Sequence, residues 1–101
     1  MRKEEKILNM QGIFWSRDVK GLDFERDKNY IIHQVLMYGS LEDISWLKEK
    51  YQSDEIKNVF IRQPQKIYTP EALNFISKII LDLKEKIDSS KYLKYAQRNI
   101  G

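Results

Sequence analysis

The chain contains no cysteine among its 101 residues. That excludes disulfides, thiolate nucleophiles and any zinc or iron–sulfur site built on sulfur, and it implies no oxidising compartment. Histidine occurs once, as His33. To act as a base it would need a serine or threonine within hydrogen-bond reach and a third group to orient it. The nearest carboxylates in sequence, Asp27, Glu42 and Asp43, stand at no recognised metal-ligand spacing from it. Its place two residues after Ile31 predicts the polar flank of a helix. Gly12, Gly21 and Gly39 stand alone, so no glycine-rich loop is available to cradle phosphate. Asp23, Glu25 and Asp27 alternate along an irregular stretch and read as solvated acids. Hydrolases, kinases and dehydrogenases each lack their minimum equipment. The expectation is a non-enzyme with no catalytic, cofactor-binding or metal-ligating residue.

Long apolar runs are missing as well. None approaches the roughly 20 residues needed to span a bilayer, and the opening MRKEEKILNMQGIF lacks the apolar core and small-residue cleavage site of a secretory signal. The expectation is a soluble, cytoplasmic chain without a membrane partner. No internal repeat or low-complexity tract appears.

What is present is a set of short helical signals with many aromatics. Apolar residues make up 42% of the chain, including two Trp, six Tyr and four Phe, enough for the core of one small domain. Residues 1–12 are charge-dense and read as a flexible N-terminal segment. The next stretch, GIFWSRDVKGLDFERD, fits neither a long helix nor a clean strand. It reads as an irregular arm pinned by its aromatics, with Trp15 and Trp46 expected to fill the core.

Helical periodicity starts after Asp27, a predicted N-cap, with Tyr30, Ile31, Val35, Leu36 and Tyr38 on one face. Gly39 is the expected left-handed stop. Ser40 opens SLED, a capping-box-like start with Asp43 in place of the preferred Glu or Gln, and Leu41, Ile44, Trp46, Leu47 and Tyr51 supply the apolar face. Ser53 is the predicted cap of DEIKNVFIRQ, whose Asp54, Glu55 and Arg62 suit the helix dipole and whose Ile56, Val59 and Phe60 face inward. Pro64 closes that segment.

The sharpest boundary is YTPEALNFISKIILDLKEKI, with Thr69 as cap and Pro70 at the first helical position. Leu73, Ile76, Ile79 or Ile80, Leu83 and Ile87 predict a long helix from Pro70 to about Ile87, a spine or a homodimer face. A cap at Ser89 or Ser90 predicts a basic-aromatic tail helix over 89–101. Strand patterning is weak throughout. The fold class is therefore all-α: a single small bundle of four to five helices over 13–88, with an irregular aromatic N-terminal arm and room for a helix-turn-helix-like unit.

The run FWSRDVKGLDFERDKNYIIHQVLMYGSLEDISWLKEKY resembles a family of short bacterial proteins of unassigned function. Its members show Phe-Trp-Asp, then LDW or a variant, then II..VL.YG.LEDW.WL. Phe14, Trp15, Leu22, Asp23, Ile31, Ile32, Val35, Leu36, Tyr38, Gly39, Leu41, Glu42, Asp43, Trp46 and Leu47 match, and Asn74 and Phe75 resemble the start of the family's last core helix. The resemblance spans roughly residues 14 to 81, with Ser16 standing where the family tends to have Asp and Ile76 where it tends to have Trp. Members are often encoded beside AbiEii-like nucleotidyltransferase toxins. The resemblance thus implies a small antitoxin-like or accessory partner of such an enzyme.

Two binding readings follow from the charged and aromatic residues. The net charge of +3 is uneven, with a basic C-terminal part beside a slightly acidic 41–60 stretch. Tyr and Trp are enriched at interface hot spots, and Tyr92 and Tyr95 alternate with Lys91, Lys94 and Arg98. That pattern predicts a basic-aromatic tail that docks on a protein partner. The alternative is a small DNA-binding regulator using residues 54–66. Lys57, Asn58, Arg62, Gln63 and Lys66 would then be displayed toward phosphates and base edges.

Overall fold

The computed structural model describes residues 9–15 and 17–94. Among them the protein is an all-α bundle without a strand. A 3-10 turn, Val19–Gly21, precedes three consecutive helices: α1 (Lys28–Tyr38), α2 (Leu41–Lys50) and α3 (Ser53–Arg62). Helix α4 (Pro70–Phe75) runs directly into a π-helical segment (Ile76–Ile80), and a second 3-10 turn, Ser89–Lys91, follows a stretch of irregular chain.

Helix α1 is the centre. All six residues from Ile31 to Leu36 are buried, so it is enclosed on every side and not on the single face its spacing predicts. Helices α2 and α3 both pack against it. His33 is therefore not on a polar flank but only 1% exposed. Gln34, also buried, donates to the Ile13 carbonyl at 2.7 Å and so ties the arm to α1.

The arm is held mainly by polar contacts. Asp27 does not cap α1 with its side chain. Its carboxylate instead accepts from Arg17 and Arg26, each at 2.8 Å, and from the Asp23 amide at 2.9 Å. The Arg26 hydrogen bond, joined by the Asp23 amide and Arg17, holds that carboxyl well below the usual range. From the other side, Tyr51 at the end of α2 donates to the Phe24 carbonyl at 2.8 Å, and the Lys50 ammonium sits 3.7 Å over the Phe24 ring. Phe14 occupies the core, which leaves its neighbour Trp15 pointing out, 65% exposed, with its ring edge against Tyr38. Trp46 is half-buried against Phe24. Met10, within the stretch predicted to be flexible, is part of the core.

The corner between α1 and α2 has a glycine for a different reason from the one predicted. Gly39 has φ −82° and ψ 160°, an extended conformation open to any residue and not a left-handed cap. A Cβ there would lie 2.7 Å from the Val35 carbonyl oxygen and 3.0 Å from Asp43 Cβ. Glycine is needed because any side chain would run into the Val35 carbonyl and the Asp43 side chain, and Ser40 then restarts the chain with a complete capping box on Asp43. Gly39→Ala is expected to lower stability by about 1–3 kcal/mol, the usual cost of overpacking. The check is a lower urea midpoint at an unchanged m-value. An unchanged or higher midpoint would mean that the corner relaxes.

Helix α3 begins one residue earlier than predicted, at the residue expected to cap it. Ser53 is the first helical residue, and Gln52 occupies the cap position without a side-chain bond. At α4 the prediction holds, with Thr69 accepting from the Ala72 amide and Pro70 next in line. The long helix to Ile87 does not form. After Phe75 the turns widen to the π form, and the Leu81 amide bonds to the Ile76 carbonyl. Closing each turn five residues back sets Leu81 above Ile76, so both reach the core. Asp82 then takes φ 49°, the left-handed region that costs a side-chain-bearing residue energy, and the helix ends.

Of the predicted tail helix over 89–101, residues 89–94 are described and hold only the 3-10 turn Ser89–Lys91; the rest lies outside the described residues. Beyond Ser89–Lys91 the chain bridges to residue 68: the Tyr68 amide donates to the Tyr92 carbonyl and the Lys94 amide to the Tyr68 carbonyl, both at 2.9 Å. This isolated parallel bridge brings Tyr92 and Leu93 into the same core as α1 and α3, so residues 89–94 pack as part of the bundle.

Candidate protein-docking groove

The course of residues 70–93 leaves a groove. One wall is α4 and the π segment, through Pro70, Leu73, Asn74, Ser77 and Lys78; the other is the returning chain, through Leu83–Ile87, Ser89 and Leu93. Its volume is about 640 Å³. Leu73 and Leu93 are buried at its floor, Leu83 and Ile87 are half-buried, and Lys78, Lys84, Glu85 and Lys86 are exposed at its rim. Lys84 is 3.3 Å from the Asp82 carboxylate, whereas Lys78 and Lys86 have no ion-pair partner among the described residues. The rim therefore carries an excess of positive charge.

Beside the groove, on the next face of the same helix, Phe75 and Ile79 are 42% and 66% exposed. They lie four residues apart, at the end of α4 and within the π segment. The sequence marked Ile79 or Ile80 for the core stripe. The π winding turns Ile79 outward and leaves Ile80 partly buried against the core.

Of the predicted partner-binding residues, Lys91, Tyr92 and Lys94 are described, and they do not share one surface. Tyr92 is 2% exposed. Its ring stacks on Phe60 at 4.7 Å, and its hydroxyl donates to the Phe60 carbonyl at 2.7 Å. It is a core residue and offers no surface to a partner. Lys91 and Lys94 are exposed, with the Lys94 ammonium 6.0 Å from the Tyr38 ring centroid. Tyr95 and Arg98 lie outside the described residues. The groove residues were missed because the stretch KIILDLKEK reads as one amphipathic helix with solvated lysines, and nothing local in it announces the π turn.

On α3, Asn58 and Arg62 are exposed and Lys57 is half-buried, and Gln63 and Lys66, just past its end, are exposed, so the proposed DNA-reading residues do reach the surface. Lys57 and Asn58, however, share a cleft with Asp54, Asp82 and Glu85. Asp54 belongs to α3 itself, and the returning chain adds Asp82 and Glu85, with Lys84 between them, beside the face that would meet phosphates. The other end of α3 is tied inward: the Gln63 carbonyl accepts from His33 Nε2 at 2.8 Å.

Because Nε2 must donate to that carbonyl, and because burial pushes the His33 pKa down to about 4, the ring is neutral at pH 7. Its Nδ1 is then a bare acceptor, filled by the Tyr68 hydroxyl at 2.7 Å. Burial raises the Tyr68 hydroxyl well above its ordinary pKa, so it keeps the proton it donates. Both ring nitrogens are committed to the fold.

A second, polar cleft of about 340 Å³ is lined by Arg17, Arg26, Asp27, Asn29 and His33, among others. Its two guanidinium groups are spent on Asp27. Among the described residues no three His, Asp or Glu side chains gather where they could hold a metal ion. No described helix is long and apolar enough to cross a membrane.

Comparison with known proteins finds no curated protein and no solved structure that matches the chain. A family pattern does match residues 10–60, which cover the arm, α1, α2 and most of α3. The groove is built from residues beyond this stretch. With half of its length matched, the chain belongs to the family of unknown function DUF6922.

Proposed function

We propose that the chain is a non-catalytic protein-binding module, an antitoxin-like or accessory partner that masks or positions a larger enzyme such as a nucleotidyltransferase toxin. The observation that carries this reading is the exposed pair Phe75 and Ile79 beside an apolar groove with a lysine rim. Large apolar side chains grouped at the surface, bordered by polar ones, are the mark of an interaction site. The aromatic surplus noted in the sequence lends less support, because Phe14, Phe60, Tyr51, Tyr68 and Tyr92 all belong to the core.

The DNA-binding alternative draws on the exposed Arg62, Gln63 and Lys66. It is weakened by Asp54, Asp82 and Glu85 around Lys57 and Asn58, since duplex affinity rests on neutralising phosphates.

The test is recovery of the tagged chain from its native cells, with and without nuclease, read by mass spectrometry. A stoichiometric protein partner that survives nuclease and moderate salt is expected. Recovery of nucleic acid alone, lost as salt rises, would replace this reading with the DNA-binding one. Absence of any stoichiometric protein would overturn it.

A further inference from the structure

We infer that the groove between α4 with its π segment and the returning chain is the docking site for an acidic amphipathic helix of a protein partner. This inference rests on the protein-binding reading and names the surface and the chemistry it takes.

Charge decides the occupant. The groove offers an apolar floor through Leu73, Leu83 and Ile87, and its lining holds three lysines, Lys78, Lys84 and Lys86, against one carboxylate, Glu85; Lys84 lies by Asp82, while neither Lys78 nor Lys86 has an ion-pair partner among the described residues. A helix laid in a groove is read through apolar side chains at i, i+3, i+4 and i+7. Asp or Glu on the flanks of such a helix would meet the two lysines, and opposite charge across an interface steers encounter and fixes register.

A second copy of this chain is the poorer occupant. A closed dimer brings the same patch of both subunits together across a two-fold axis, which would set this lysine rim against itself. A small amphiphile is also poorer: lying in the groove, it would leave Phe75 and Ile79, on the adjoining face, in water. A helix seated over the rim covers both. The occupant is therefore a segment of polypeptide, apolar along one stripe and acidic on either side.

The probe is a fluorescein-labelled, hydrocarbon-stapled peptide of about fifteen residues, since shorter or unstapled helices are marginal in water. It carries Leu at the stripe positions and Glu on both flanks. Its controls are the same peptide with Lys for Glu and a scrambled peptide of equal composition. Anisotropy with the full chain is expected to show saturable binding of the acidic peptide only. Affinity should fall about tenfold in the double variant Lys78→Glu, Lys86→Glu, with opposing charges turned into like ones. Ile79→Asp, an exposed position, is expected to weaken it as well. Lys20→Glu, exposed on the Val19–Gly21 turn, should change nothing.

Equal binding of all three peptides would overturn the inference, as would retention of affinity in the double variant. Saturable uptake of laurate with no peptide binding would assign the groove to a small amphiphile. A dimer in light scattering that the double variant abolishes would assign it to self-association. The cellular recovery experiment separates the two levels. If Lys78→Glu, Lys86→Glu still recovers the protein partner, the groove is wrong and the protein-binding reading stands; if neither form recovers a protein, that reading falls.

Discussion

Tyr92→Ala is expected to unfold the chain under mild conditions and not to release a partner from an intact fold. The ring is enclosed by Phe60 and Tyr68, and truncating a buried aromatic costs about 3–5 kcal/mol. A small domain holds on the order of 5–15 kcal/mol in total. The hydroxyl has its own task. In an α-helix the Phe60 carbonyl would accept from the residue four positions on, which is Pro64, and proline has no N–H to give. The Tyr92 hydroxyl supplies that missing donor. Tyr92→Phe should therefore keep the packing and lose about 1–3 kcal/mol, the penalty of an unpaired buried carbonyl. Urea melts followed by far-UV circular dichroism measure both. An alanine variant with the stability of the parent would show that the returning chain is not part of the core.

Acid is expected to destabilise the protein through His33. In the unfolded chain His33 has an ordinary pKa near 6.5, and in the fold burial holds it at about 4. Between these values the unfolded state binds the proton and the folded state does not, so unfolding takes up a proton and stability rises with pH. At pH 7 both states are neutral and nothing is lost. As pH falls through 6.5 toward 4 the loss accumulates to about 3 kcal/mol, and below that it levels off.

Asp27 acts in a separate window. Its folded pKa is depressed, so its stabilisation is intact above the ordinary carboxylate value and is lost only as pH falls below 3.8. Urea midpoints measured from pH 7 to 4.5 isolate the histidine. His33→Gln should be less stable at pH 7, because its amide cannot reproduce both bonds, and should show a flatter dependence on pH. An equal slope in parent and variant would place the acid sensitivity elsewhere.

What could be read from residues alone was whatever neighbours in sequence decide. The Ser40–Asp43 capping box and the Thr69–Pro70 start appear as predicted, because a cap is completed by residues three positions apart. The all-α class followed from periodicity in the same way, with α1 to α3 close to their predicted spans. His33, Gly39 and Tyr92 were misjudged for the opposite reason. His33 looks polar by type, yet it is buried because Tyr68 and the Gln63 carbonyl, from distant chain, take up its two nitrogens. Gly39 is needed by the contact between two helices and not by its own φ. The same distinction applies to the candidate site. Lys78 and Lys86 lie in a stretch whose pattern is that of one long amphipathic helix, and only the core’s demand for both Ile76 and Leu81 converts it to π winding and a return. Helix starts and periodicity are local free energies, and the sequence by itself determined them. Which polar groups are buried, where the last helix breaks and which lysines come to face an apolar groove depend on partners far along the chain, and the tertiary structure alone decided them.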